Sequence, residues 1–537
     1  MCAVFFAGPS GPGHGRMIAF AERAFADATA ARRSFLATLV VLTLLRAWFA
    51  AALPFTSDEA YFLMWGRNPD WGFYDHPPMV GWWLAALDAI SGHRFVLRLP
   101  ALLAPPLIAA IGWHLLRRYG EALAWSGATL LLMVPLSAWN VAITTDIPLM
   151  LFSGLTVALY LHARRTGRMQ DFLWTGLALG GALLSKYFAG LLAIAIFVDT
   201  MRRPDRRSLA GLGWVVAGSL PAAAIQIAWN AQHCWPNVMF NLVNRHGDAG
   251  LSWRTPLLYL LSVVYVLTPA VARRLATGPR PGKPGEAENG APGEAARDER
   301  STLRWLALVP LAIFAALSLV KTIGLHWLAS FVLPAVLWFV LSAGARSRAA
   351  AIATAGLIAA AHWLLIGTLA MLPTETFRSW SNYQGLVMTV HGDELARALA
   401  PWRGRYAIAS DGYSPAVTIG YALGEHVLVF GPGTSHARHD DILTDFRELE
   451  GRDILIVRRR DYSPADYEPY FDRVTVRDIE IRGAVFHLIE GHGFRYPVYR
   501  DRVLDAVRQR YYALPRWLPS GACYFCDRYF PERSCHR

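Results

Sequence analysis

The sequence predicts an all-α polytopic membrane domain of about eleven spans followed by a small α/β extracytoplasmic domain, and three observations lead there. Of the 537 residues, 54% are hydrophobic and only 17% charged, and the apolar residues fall in runs of about 16 to 24, near the length that crosses a bilayer. The arginines sit in short clusters between those runs. After about residue 374 the composition changes to short strand-like and helix-like segments. A formal charge of +12 raises the question of nucleic acid, but clusters that alternate with apolar runs set topology and form no continuous basic face.

Residues 1–34, bearing Gly, Ala and Arg, read as a cytoplasmic tail. No convincing small-residue cleavage site follows the first apolar run, so that run reads as a retained anchor. Spans are expected at 36–54, 95–116, 122–142, 147–163, 208–230, 256–272, 305–320, 327–343 and 350–371, within a membrane domain of residues 35–373. The clusters Arg23 to Arg33, Arg117-Arg118, Arg164-Arg165 with Arg168, Arg202 to Arg207, Arg273 to Lys283, and Arg346 with Arg348 all fit one side, the cytoplasm. The segment 170–200 has such a cluster at both ends. It must cross twice or dip and return, yet about 31 residues at ~1.5 Å rise make only ~46 Å of helix. Two short helices with Ser185-Lys186-Tyr187 at the turn satisfy both conditions. Pro77 to Ile90 would break the parity as a span and reads as an interfacial helix. Residues 276–304, rich in Gly, Pro, Ala, Glu and Arg, read as a cytoplasmic linker.

In the second domain, 374–490, strands are expected at Arg405 to Ala409, Val427 to Phe430, Asp453 to Val457 and Val485 to Ile489, with helices at Ser414 to Leu423 and Asp440 to Leu449. The tail 491–537 holds Cys523-x-x-Cys526 and Cys535-His536. Zinc, a disulfide with one cysteine over, or no role all fit that spacing. The five cysteines are too scattered for a disulfide scaffold.

This topology places Thr56 to Trp83 at the outer face, with Asp58, Glu59, Asp70, Asp75 and His76 interleaved among eight aromatic residues. Acids and aromatics at a membrane surface suit a polar substrate with an apolar tail. Asp146, Lys186, His233, Arg245, His246, Lys321 and His326 gather on the same side. A lysine inside an apolar segment is costly, and Lys186 reads as a functional residue or as one that snorkels to the interface. No phosphate-cradling glycine loop follows a strand, and Gly11 to Gly15 lies in the tail. No Asp-x-Asp pair occurs in the soluble region, so nucleotide substrates are disfavoured. Transfer of a sugar from a lipid phosphate needs one carboxylate base for the acceptor hydroxyl and cations for the leaving phosphate, and a single displacement inverts the anomeric centre. Asp58 is the candidate base. Thr56-x-x-Glu59 also spells a capping box, with Ser57 or Asp58 as a possible cap, and capping is compatible with catalysis. Asp146 can support that loop or merely cap the helix from Ile147. Trp82 and Trp83 suit an interfacial aromatic belt.

Asp58-Glu59-Ala60-Tyr61, Trp71-Gly72-Phe73-Tyr74-Asp75-His76-Pro77-Pro78, Thr144-Thr145-Asp146-Ile147-Pro148-Leu149 and Leu184-Ser185-Lys186-Tyr187 occur in that order. They resemble the motifs of the polyprenyl-phosphate-sugar-dependent glycosyltransferases of the GT-C fold, which include the protein mannosyltransferase-like group and the lipid A aminoarabinose and galacturonic acid transferases. The resemblance runs from about residue 36 to 375. It continues more loosely through Ala409-Ser410-Asp411-Gly412-Tyr413 and Tyr421-Ala422-Leu423. It implies Asp58 as base and Lys186 among the cations that hold the lipid phosphate; on the same outer face Glu59, Asp75 and Asp146 are candidates for supporting acids or acceptor-positioning groups, and His76, Arg245, Lys321 and His326 for further binders of the lipid phosphate. His326-Trp327 resembles a His-Trp-Pro-Ala segment, but Leu328 stands where proline is usual. His76 stands where some relatives have lysine, which makes any charge there depend on pH. Asp75 beside it can raise the histidine's pKa or orient its ring.

The expected protein is an inner-membrane inverting glycosyltransferase, amino terminus cytoplasmic, that moves one sugar from undecaprenyl phosphate to a glycolipid, glycan or protein acceptor outside the cytoplasm. No cofactor is required by the residues, although the outer acids and histidines suffice for a divalent metal. A transporter or flippase of a lipid-linked sugar is the alternative from another class. The polar clusters show no inverted repeat, and charges are few on the cytoplasmic half of the spans. A scaffold that binds lipid without catalysis is a third reading, disfavoured by the intact Asp58, Asp75 and Lys186.

Overall fold

The computed structural model describes residues 12–246, 250–278, 294–460, 462–519, 521–533 and 535. The chain divides into two compact units drawn from interleaved stretches: Met1–Ala52, Arg98–Ala223 and Ala249–Ala370 form one, and Leu53–Leu97, Ala224–Asp248 and Met371–Arg537 the other. Most of the linker expected over 276–304 lies outside the described residues, as do Lys283 and His536.

The first unit is helical. Among the described residues seven helices are long and apolar enough to cross a membrane, at Ala28–Ala52, Arg94–Tyr119, Asp146–Thr166, Arg206–Gln232, Ala296–Ser318, Leu325–Ser342 and Ala345–Met371. An eighth span is possible where Arg254–Leu267 and Pro269–Thr277 meet at a bend of 113°. The sequence predicts one straight span over 256–272, and the bend has a local cause. Thr268 precedes Pro269, whose ring disfavours α geometry before it, and Thr268 turns to φ 70. The span expected at 122–142 also breaks. Its helix, Glu121–Met133, gives way at Val134, ψ 143, and Pro135 opens a separate turn, Pro135–Trp139. The buried Arg46 of the first span donates to the freed carbonyl of Ser137 and, at 2.5 Å, to that of Ala101. Backbone carbonyls out of helical register at membrane depth need such partners.

The segment 170–200 is two short helices, Met169–Leu183 and Ala189–Met201, with Ser185-Lys186-Tyr187 between them. Glycines let the first of these pack closely. A Cβ on Gly176 would sit 2.2 Å from the carbonyl oxygen of Val215 and 2.9 Å from Gly218 Cα, so Met169–Leu183 meets the Arg206–Gln232 helix backbone to backbone.

The second unit holds a five-stranded sheet of order β2-β1-β3-β5-β4, made of β1 (Ala407–Ser410), β2 (Leu428–Val429), β3 (Ile454–Arg458), β4 (Phe471–Ile481) and β5 (Ala484–Phe494). β1 pairs in parallel with β2 and β3, while β5 runs antiparallel between β3 and β4. β4 is missing from the sequence reading because charged residues interrupt FDRVTVRDIEI and most of it is exposed or half-buried. A two-residue turn, Arg482 at φ 52 and Gly483 at φ 79, joins β4 to β5. Arg is an unusual first residue for that geometry, and its guanidinium is held by Glu375 and Glu394. The helix expected over Asp440 to Leu449 is a short helix, Asp440–Leu443, then an extended Thr444 and a separate 3-10 turn, Phe446–Leu449, which Asp445 caps.

The cysteine reading needs correction. Cys523 bonds to Cys234, 289 residues away, and Cys526 bonds to Cys535. No cysteine of the tail cluster is left over, and each of these sulfurs is engaged in a bridge rather than held as a thiolate for zinc.

Candidate functional site

In the second unit the stretch from Thr56 builds two devices in succession. Thr56, with φ −76 and ψ 162, is the N-cap of the Ser57–Arg67 helix, and its hydroxyl accepts from the Glu59 amide. Glu59 Oε2 in return accepts from the Thr56 amide and hydroxyl, both at 3.0 Å. Glu59 is wholly buried in this reciprocal cap, so its carboxylate serves the helix start. Asp58 takes no part in the cap, and its side chain is accessible at the helix N-terminus. The surrounding protein, and secondarily the charge of Glu59, raise its carboxyl above the ordinary range.

Asp75 is buried, and burial pushes its carboxyl up to about 7, against the Tyr61 hydroxyl that donates to Oδ1 at 3.1 Å. Asp58 raises it further, whereas Arg245 pulls it down. Arg245 is half-buried over the Phe240 ring, at 5.6 Å, and burial lowers its own pKa against the field of Asp75. The His76 ring lies 6.4 Å from that of Phe62 and 6.1 Å from that of Trp65, its Nδ1 against the carbonyl oxygen of Asp75. The neighbouring carboxylate itself receives the Tyr61 hydroxyl.

Three groups that the sequence reading did not single out hold this loop. Asn237 donates through Nδ2 to the carbonyls of Phe73, at 2.5 Å, and Tyr74, at 2.9 Å. Gln226 donates to the carbonyl of Trp71 at 2.8 Å. His439 accepts from the Tyr74 amide at 3.4 Å through Nδ1. Its ring meets Phe73 and Trp65 edge-on, and those two stack at 4.5 Å. Burial lowers the His439 pKa to about 3, so it is the neutral acceptor this contact requires. Trp82 donates to the Asp70 carbonyl and Trp229 to its carboxylate, so Trp82 anchors the loop whatever its place in an aromatic belt. Residues so far apart in sequence carry no shared local signal.

In the first unit, Lys186 and Asp146 come together. The ammonium donates to both carboxylate oxygens, at 2.8 and 2.9 Å, with each residue about 7% exposed. Thr145, not Asp146, occupies the N-cap of the Asp146–Thr166 helix. The capping role for Asp146 is therefore corrected: its carboxylate is the counter-ion of Lys186. The Lys186 ammonium also lies 5.4 Å from the Phe188 ring centre, inside the helical hairpin rather than snorkelled outward. Lys321 follows the helix that ends at Ser318, and His326 is exposed at the start of the turn Leu325–Phe331. In the second unit His233 stacks on Trp229 at 4.4 Å, and the side chain of His246 lies outside the described residues.

An accessible carboxylate on a rigid helix start, beside a buried carboxyl poised near neutrality and an arginine, can accept a proton and bind an anion in one place. Residues 75–230 match the family described as dolichyl-phosphate-mannose-protein mannosyltransferase. The chain is 27% identical over 192 residues to the lipid A galacturonosyltransferase RgtD of Rhizobium johnstonii, a stretch that covers 34% of this chain and 40% of that relative's length. Its fold is that of ArnT from Cupriavidus metallidurans, the GT-C fold. The ArnT structure bound to undecaprenyl phosphate aligns with a TM-score of 0.53 at 14% identity, covering 85% of this chain and 98% of that one. The apo structure aligns at 0.52, also at 14% identity, covering 86% and 98%.

Proposed function

We propose that this GT-C-fold chain is an inverting glycosyltransferase of the bacterial inner membrane that transfers one sugar from undecaprenyl phosphate to an extracytoplasmic acceptor of the lipid A type. The observation that carries the reading is Asp58: an accessible carboxylate, held at a capped helix start by Thr56 and Glu59, on the fold of a protein that binds undecaprenyl phosphate. The acceptor oxygen attacks the anomeric carbon, the bond from that carbon to the phosphate oxygen breaks, and the lipid phosphate departs. A hydroxyl acceptor gives its proton to Asp58. A phosphate acceptor has no proton to lose, and Asp58 then positions it. In the second unit Arg245 and His76 are proposed to meet phosphate charge from the loop side; in the first unit Lys186, Lys321 and His326 are proposed as binders of the lipid phosphate. Glu59 supports Asp58 through the cap, Asp75 tunes the field beside it, and Asp146 holds Lys186. The amino terminus is proposed to be cytoplasmic and the sheet-bearing unit extracytoplasmic. The likeness to a lipid A galacturonosyltransferase and to a protein that binds undecaprenyl phosphate favours this reading over a flippase.

The test is transfer from a radiolabelled polyprenyl-phosphate sugar to membrane-derived acceptors by purified protein. Asp58→Asn is expected to lower turnover at least ~100-fold, the usual scale for loss of a general base. Wild-type turnover in that variant would remove Asp58 from the mechanism. Movement of labelled lipid across a vesicle without transfer would put the flippase in place of the enzyme.

A further inference from the structure

The sheet of the second unit offers a cavity remote in sequence from the Thr56 loop. β1, β2 and β3 are parallel, and each is followed by residues that line one space of about 250 Å³: Asp411 and Gly412 after β1, Gly431 after β2, Arg459 and Arg460 after β3. The carboxyl ends of parallel strands are where open α/β sheets hold ligands, because the chain turns away there and leaves a crevice. The volume lies just below the ~300–1,000 Å³ of ordinary ligand pockets, enough for one sugar ring with a charged substituent and too small for a lipid.

The charge of the lining decides the class of ligand. Three aspartates face the cavity, and each is already matched. Asp441 receives Arg438 at 2.7 and 3.1 Å and the Tyr512 hydroxyl at 2.6 Å. Asp440 receives the Val429 amide, the Thr444 hydroxyl and His426, all at 2.9 Å. Asp411 faces Arg458 at 3.3 Å. Arg459 and Arg460 form no hydrogen bond or ion pair among the described residues, and Arg459 is half-buried. Asp411, already paired with Arg458, lends its field to Arg459, so among the described residues neither guanidinium has a hydrogen-bonded counter-ion of its own, in a crevice whose acids are satisfied. The half-buried Tyr413 adds aromatic surface of the kind that sugar rings lie against. The Tyr413–Leu423 helix opens on the same space without a side-chain cap, and Pro415 in its first turn has no amide to satisfy.

We infer that this crevice binds an anionic sugar, a phosphorylated or carboxylated monosaccharide unit, with Arg459 and Arg460 on its charge. Resting on the transferase reading, its occupant would be an anionic headgroup of the acceptor, held beside the Asp58 loop, since Tyr413 of the lining lies 5.8 Å from Tyr61, ring centre to ring centre, and feels the charges of Asp58 and Asp75. Binding itself does not depend on that reading.

The experiment measures calorimetric binding of glucosamine 1-phosphate, galacturonic acid, glucosamine and inorganic phosphate to the full-length protein in nanodiscs, without donor lipid. Saturable binding of the two anionic sugars and none of glucosamine is expected. Arg459→Gln with Arg460→Gln should weaken it at least ~10-fold with an unchanged melting temperature, and Arg459→Lys with Arg460→Lys should recover part. Equal affinity in the glutamine double variant, no saturable binding of either anionic sugar, or inorganic phosphate binding as tightly as glucosamine 1-phosphate would each overturn the inference. Because no donor is present, a failed transfer assay leaves this result standing. Binding that is lost while transfer to a neutral acceptor persists would separate the two sites.

Discussion

Asp75 is a carboxyl whose protonation the fold controls strongly. Its carboxyl is pushed to about 7 by burial, well above the ~3.9 of an unfolded chain, so folding favours the protonated form. Between those two values the native state binds more protons than the unfolded state, and stability falls as pH rises from about 4 to about 7. Asp75→Asn removes this titration. Its melting temperature should fall less than that of wild type across that window, and a differential scan at three pH values checks it. An identical slope in both proteins would mean that Asp75 is solvated and ionised throughout. Sequence named Asp75 because it sits beside a histidine and two prolines. It could not show that Tyr61, fourteen residues back, donates to the carboxylate, because helix packing decides that pairing.

At the scale of elements, the short hairpin of Met169–Leu183 and Ala189–Met201 was legible in advance. Arginines at both ends forced an even number of passages through too few residues, and a lysine marked the turn. The partner of that lysine was not legible, since Asp146 is 40 residues away and the loop motif gives it several plausible duties. The buried pair makes a strong prediction. Lys186→Met leaves a carboxylate without its counter-ion and should cost ~3–5 kcal/mol, whereas Lys186→Met with Asp146→Leu should restore most of it. Thermal aggregation in detergent reads the cycle. If the double variant is stable and still transfers sugar, the pair is structural; if it is stable and inactive, Lys186 serves the donor phosphate. The kinked span at Thr268 and the broken one at Pro135 have the opposite lesson. Both prolines were in view, but hydropathy averages over them, and only backbone geometry shows where a span stops being straight.

At the scale of the whole molecule, the Cys234–Cys523 bridge ties the C-terminal tail to the stretch that follows the Arg206–Gln232 helix, closing a loop of 289 residues. Asn237, three residues on, holds Phe73 and Tyr74, so the bridge braces the loop that carries Asp75. Cys234→Ala with Cys523→Ala should lower stability by ~2–4 kcal/mol and reduce transfer through a looser loop. Unchanged melting and turnover would show that packing alone suffices. The sequence by itself determined the membrane class, the helical hairpin, the order of the motifs and the presence of a small α/β region, because hydropathy runs, charge clusters and local patterning are properties of neighbouring residues. Tertiary structure decided the rest: which carboxylate is spent on a cap, which is buried to near-neutral titration, which cysteines bond, and that three strand ends converge on one cavity with Arg459 and Arg460 in its lining. Each of these depends on residues tens to hundreds of positions apart, where burial and distance set the chemistry and local pattern carries no record of it.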